Sequence, residues 1–196
     1  MIFSKDFSVL VNVLNRKLWR NYSRWNFLSK IFWSRIGGWL VLARGGIIDS
    51  LGAPSHLSIF HGVPLTCAAG IAAFGVYYSK EFQDLLQTNI KLLDQLGKDL
   101  KEKHQDIIEG VRNIDMSMGI DIKDKDDGNT TYKIIFRCYE KGLFITTLNG
   151  NILRIQPPLN TPSELLVKGF NIISESIEDF KGGRINDGVL EYKKSW

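Results

Sequence analysis

Several things are scarce in this chain of 196 residues, and each scarcity closes off a class of protein. Cysteine occurs twice, as Cys67 and Cys138. Two thiols that far apart form neither a disulfide framework nor a zinc ligand pair, so both are expected to be buried thiols in a reducing compartment. His56 and His61 have no acidic or cysteine partner at ligand spacing, which predicts structural roles and no metal site. No long apolar run is free of charge, since Ile31 to Ile48 carries Arg35 and Arg44. Nor is a secretory leader expected: the first apolar run, Phe7 to Leu14, lacks a small-residue cleavage site and meets Arg16-Lys17 at once. A cytoplasmic setting without a membrane partner is the expectation.

What is present is enough for a core. With 44% apolar residues the chain suits one domain or two small ones. The net charge of +4 is unevenly placed, because residues 1–49 hold eight Lys/Arg against two Asp/Glu, while the remainder is slightly acidic. Trp19, Trp25, Trp33 and Trp39 also fall in that first quarter. Basic, Trp-rich sequence raises nucleic acid or an anionic membrane surface as partners, but no binding-module motif accompanies it, and neither is expected.

Along the chain, residues 1–42 show no clean periodicity, although Phe7 to Leu14 has the composition of a strand. Thr66 to Tyr78 is Ala-rich and apolar all round, as in a buried helix. Phe82, Leu85, Leu86, Leu92, Leu93, Leu96 and Leu100 recur at spacings of three and four, predicting an amphipathic helix over 81–103. Met116, Met118, Ile120 and Ile122 alternate with small or polar residues, the pattern of a strand with one buried face. Asp127-Gly128 marks a turn, and Thr130 to Lys141 reads as a short helix closed by Gly142. Thr161-Pro162-Ser163-Glu164 has the form of a capping box with Thr161 as N-cap, ahead of a helix whose stripe is Leu165, Leu166, Phe170, Ile173, Ile177 and Phe180. The tail, 181–196, is Gly-rich and charged and is expected to pack loosely. Four segments result: an atypical basic stretch at 1–42, a portion at 43–103 that ends in the long amphipathic helix, a small α+β domain at 104–180 in which an antiparallel sheet packs on helices, and the tail.

The stretch from Gly142 to Leu159 carries the chemistry. Two β-branched runs flank Asn149-Gly150, the dipeptide of a tight hairpin turn, and the second run ends on Pro157-Pro158, which cannot continue a sheet. Arg154 interrupts that run. A guanidinium keeps its charge, so it must meet an anion, and a planar carboxylate fits its fork best. Either a substrate carboxylate or a neighbouring Asp/Glu fills that requirement.

The string Gly150-Asn151-Ile152-Leu153-Arg154-Ile155-Gln156-Pro157-Pro158-Leu159 resembles the carboxylate-binding strand of class III pyridoxal-phosphate aminotransferases, in the branch of 4-aminobutyrate aminotransferase and isoleucine 2-epimerase. Ala43-Arg44-Gly45-Gly46-Ile47-Ile48-Asp49-Ser50-Leu51 resembles the family's second pattern, and twenty positions before Ser50 stands Lys30, in Phe27-Leu28-Ser29-Lys30, where the family places its Schiff-base lysine. In an alternative register Arg35 takes that position and the site is dead. Ala53-Pro54-Ser55-His56-Leu57 with Gly62-Val63-Pro64 is similar to the family's phosphate-contacting motif, but Ser58-Ile59-Phe60-His61 replaces its threonines. Ile107 to Arg112 resembles the opening of the family's small domain.

The resemblance implies the C-terminal part of a fold-type-I transferase, α/β to α+β. It implies pyridoxal 5'-phosphate as cofactor, Lys30 as catalytic and cofactor-binding residue, and Arg154 as the clamp for the substrate carboxylate. The implied reaction moves an amino group between an amino acid and a 2-oxo acid, in a homodimer or with a complementing chain. Amino-acid 2-epimerisation in the same family and a non-catalytic, truncated remnant are the alternatives.

Overall fold

A 24-residue helix and a four-stranded sheet set the frame for everything downstream of residue 80. The computed structural model describes the strands at 26–29 and 39–42 and the chain over 63–124 and 127–195. It divides into two compact units, Met1–Asp84 and Leu85–Trp196.

In the first unit, strands β1 (Asn26–Ser29) and β2 (Trp39–Leu42) pair antiparallel, with Asn26 opposite Leu42 and Ser29 opposite Trp39. Helix α1 (Pro64–Tyr77) starts on a proline, which needs no intrahelical N–H partner there. Its apolar composition predicts burial, yet Leu65, Ile71 and Val76 are exposed and Gly70 is its one buried residue. Cys67 is exposed as well, against expectation. Being apolar on every side, α1 cannot hide all its faces in one contact. Ser79 then caps helix α2 (Lys80–Lys103), its Oγ accepting from the Phe82 N–H at 3.3 Å.

The second unit is built on the remainder of α2. Leu86, Asn89, Leu93, Gly97 and Leu100 form its buried stripe, close to the leucine pattern of the sequence. A Cβ at Gly97 would overlap Met118 Cε, so the glycine lets α2 lie close to the sheet. The sheet runs β3-β4-β6-β5, antiparallel throughout: β3 (Ile108–Ile114), β4 (Ser117–Ile122), β5 (Thr146–Leu148) and β6 (Ile152–Ile155). Met118, Ile120, Ile122, Leu153 and Ile155 are buried on one face, as period-2 patterning requires.

Helix α3 (Asn129–Glu140) connects β4 to the β5–β6 hairpin. Gly128 precedes it at φ +82°, and a Cβ there would come within 2.8 Å of the Gly150 carbonyl oxygen. Only glycine allows both the left-handed turn and that approach of the hairpin tip. Asp124 accepts from the Thr131 N–H at 2.9 Å and Oγ1 at 3.0 Å, tying down the helix start. Gly142, at φ +85°, follows the helix end.

Helix α4 (Ser163–Lys181) closes the unit, but not through the expected capping box. Pro162 occupies the N-cap, and Thr161 Oγ1 donates to the Pro158 carbonyl at 2.6 Å, stabilising the preceding turn. Leu166, Phe170, Ile173 and Ile177 are buried, whereas Leu165 is exposed. The tail is a second correction. Residues Asp187–Ser195 form a 3-10 helix docked on α3: Asp187 pairs with Lys133 at 2.5 Å and Tyr192 stacks on Phe136 at 5.9 Å. Lys193 donates to the Asp127 carbonyl and lies 5.3 Å from the Tyr132 ring centroid. Alternating aromatic and charged residues on α3 supply the partners that the tail's composition alone does not reveal.

Candidate carboxylate-binding site

Asn149 and Gly150 take φ +51° and +79°, the two left-handed positions of a primed hairpin turn. The turn fixes the register, with Leu148 opposite Ile152 and Thr146 opposite Arg154. Leu153 and Ile155 therefore enter the core, and Ile152 and Arg154 stand on the sheet's other face. Gly119 and Thr146 flank Arg154 in its row across the sheet. Neither supplies a charge.

Of the four arginines whose side chains lie among the described residues, three are paired. Arg112 meets Asp121 at 2.6 Å, Arg137 meets Asp179 and Glu140 at 2.8 Å, and Arg184 meets Asp179 at 2.8 Å. Arg154, half-buried, has no hydrogen-bond or ion-pair partner among the described residues. The sequence left a neighbouring Asp or Glu open as its partner; the described residues supply none.

Arg154 borders a cavity of about 440 Å³, walled by Leu143, Phe144, Ile145, Ile155, Pro157, Leu166 and Phe170 and, on its polar side, by Thr146, Gln156 and Thr161. Among the described residues it is the one charged residue lining that space. Apolar walls reduce competition from water, so a single guanidinium there attracts an anion more strongly than it would in the open. A small carboxylate with an apolar substituent matches this cavity in size and chemistry.

Lys30 lies outside the described residues, as do Arg35, His56, His61 and the motifs at 43–51 and 53–62. Among the described residues no cluster of His, Cys, Asp and Glu could hold a metal ion. Cys138 is buried as expected, and burial pushes its thiol up to about 11, which removes it as a nucleophile.

One assemblage escaped the sequence altogether. His104 is fully buried, with Nε2 2.8 Å from Ser174 Oγ and Nδ1 3.3 Å from Glu178 Oε1. Lys181 Nζ stands 3.2 Å from the same Nδ1, and Lys103 donates to Ser174 Oγ at 2.8 Å. Burial, then Lys181, hold the His104 pKa below its ordinary value. His104 and Ser174 are too far apart in the chain for any motif to join them. The cluster borders no described cavity and serves to bind the end of α2 to α4.

Comparison with known proteins gives the site its context. The profile of the family described as Aminotransferase class-III matches residues 39–177. A leucine/methionine racemase from Thermococcus litoralis is 35% identical over 80% of this chain and 36% of its own length. An isoleucine 2-epimerase from Lentilactobacillus buchneri is 29% identical over 74% of this chain and 33% of its own. The crystal structure of an acetylornithine aminotransferase from Elizabethkingia anophelis superposes with a TM-score of 0.71 at 29% identity, covering 79% of this chain and 40% of that one. The chain thus spans about a third of the length of the curated relatives it matches. Its sheet and helices are those of the C-terminal part of a fold-type-I transferase. With a profile match across most of its length and a superposable fold, the chain belongs to the class-III aminotransferase family, whose members depend on pyridoxal phosphate.

Proposed function

We propose that this chain supplies the carboxylate-holding part of an amino-acid site, in an enzyme that moves an amino group between an amino acid and a 2-oxo acid. The observation that carries the reading is Arg154: it borders an apolar cavity, and no carboxylate among the described residues pairs with it. Arg154 grips the carboxylate through two parallel N–H···O bonds, and the apolar wall accepts the substituent. That grip fixes the substrate's orientation and leaves its amino or oxo carbon outside the clamp.

The described residues do not by themselves fit pyridoxal phosphate. No described lysine lines the cavity to meet the cofactor's aldehyde, and one guanidinium cannot hold both a substrate carboxylate and a phosphate. Lys30 is assigned to the aldehyde on the resemblance around Phe27 to Lys30, and the phosphate donors are assigned to a complementing chain or a second copy. A cytoplasmic setting accords with this small-molecule chemistry, and among the described residues no helix is long and apolar enough to cross a membrane.

Epimerisation at the carbon bearing the carboxylate is the second reading, favoured by the 35% identity to a leucine/methionine racemase. Both reactions use the same clamp.

Titrating the chain with pyruvate while following the Arg154 Nε–H by ¹⁵N NMR tests the clamp. Saturable binding that weakens about ten- to a hundredfold in Arg154→Ala, the loss expected for a charge-assisted bond, supports it. Equal affinity in the two proteins refutes it. A pyridoxal-phosphate titration tests Lys30 separately: a visible absorbance band lost in Lys30→Ala supports the assignment, and a band indifferent to that change sinks it. No band at all, in the presence of carboxylate binding, favours the remnant that catalyses nothing.

A further inference from the structure

Arg154 has no partner among the described residues although a carboxylate sits on the next strand. Asp121 of β4 lies opposite Ile152, and Gly119, two residues before it, lies opposite Arg154. On the other side of β4, Asp121 lies opposite Gly110 and Gly119 opposite Arg112. Asp121 therefore has an arginine at the same two-residue offset on both neighbouring strands, and all three side chains stand on the sheet face away from the core. Diagonal neighbours of this kind are about 7–8 Å apart, within reach of an arginine arm. Gly119 puts no side chain between them, and Ile152 Cγ2, 3.4 Å from where a Cβ of Gly119 would stand, lies beside the path. One carboxylate serves two guanidinium groups, and it is bound to Arg112 at 2.6 Å.

We infer that Arg112 is a positioning residue, whose pairing with Asp121 keeps that carboxylate off Arg154 and so leaves the clamp open to substrate. The inference rests on the reading of Arg154 as a carboxylate clamp. It adds a residue that touches no substrate. The pair is suited to the task. Asp121 is mostly covered, with its side chain 19% exposed, so its charge is not simply lost to water. Arg112 is 66% exposed, so its removal leaves the core in place. Without Arg112, the unpaired guanidinium among the described residues on that face is Arg154, and an internal carboxylate competes with every external one.

Pyruvate affinity, read at the Arg154 Nε–H at low ionic strength, distinguishes the cases across five forms of the full chain. Arg112→Ala should bind pyruvate about two- to sixfold more weakly than the wild type, the competition expected of a partly exposed ion pair. Arg112→Ala combined with Asp121→Asn should return to wild-type affinity, because the competitor is gone while the loss of Arg112 remains. Arg112→Lys should stay close to wild type, since an ammonium still holds Asp121. A structural role for Arg112 would leave the double variant as weak as the single one. Wild-type affinity in Arg112→Ala, or weakening that persists in the double variant, overturns the inference while leaving the clamp intact. If Arg154→Ala binds pyruvate as the wild type does, the clamp itself falls and this inference with it.

Discussion

Replacing His104 by Gln should flatten the pH dependence of stability between pH 7 and pH 5. The ring is fully buried, and either neutral tautomer is satisfied by Ser174 on one side and by Glu178 or Lys181 on the other. A protonated ring would stand 3.2 Å from Lys181 Nζ, with Lys103 nearby and only Glu178 and Asp106 to offset them. The folded pKa is therefore below the unfolded value of about 6.5. Below that pH the unfolded chain takes up more protons than the folded one, so stability is full above about pH 6.5 and falls as pH decreases through it. One proton sets a limit of about 1.4 kcal/mol per pH unit. For a chain of this size that corresponds to roughly 3–6 °C in Tm per unit. Calorimetric melts at pH 7, 6 and 5 should show this decline in the wild type and a shallower one in His104→Gln. Parallel declines in the two proteins would refute the argument, because the burden would then lie on other groups.

Three further outcomes follow from the same unit. Asp179, held far below the usual carboxylate range by Arg137, then Arg184, contributes stability that is present above about pH 3.9 and lost as pH falls further. Asp179→Asn should therefore cost about 1.5–3 kcal/mol at pH 7, and the difference from wild type should shrink in acid; a urea titration at both pH values checks this. Deleting residues 187–196 should cost about 1–3 kcal/mol through the lost Phe136–Tyr192 stack and the Lys133 and Lys193 contacts, and an unchanged melting curve would show that the tail is idle. With a thiol reagent at pH 8, Cys67 should react quickly and Cys138 only on unfolding; two fast thiols would contradict the burial of Cys138.

Local chemistry explains which parts of the fold were legible in the sequence. The Asn149-Gly150 turn, the α2 stripe and the alternation through β4 each depend on residues close in the chain, and they stand where periodicity and turn chemistry predict them. Bounds slipped where tertiary partners decide. Thr161 has the composition of a cap but bonds back to Pro158, because the double proline makes a turn that needs a donor. Strand β3 was hidden because Gly110, Arg112 and Asn113 weaken its pattern, and its pairing with β4 supplies what propensity does not. The site was half legible. A charged residue in an apolar strand announced Arg154. That Asp121 would choose Arg112 over Arg154 depends on a register across three strands that no single segment encodes.

The two borders of the sheet have a consequence for how the chain behaves at high concentration. An open strand edge is a template for another chain. At one border β5 is three residues long, too short to guide a partner strand. At the other, β3 is seven residues long, but its register shifts between Ile108 and Gly110, and it carries the charges of Glu109 and Arg112. The shift bends the ladder and the charges resist a like strand alongside, so intermolecular growth is disfavoured at both borders of the sheet that the described residues form. Arg112 thus stands at the point where ordering the substrate clamp and keeping neighbouring molecules apart meet in one side chain, and its loss should make the protein stickier as well as weaker in binding.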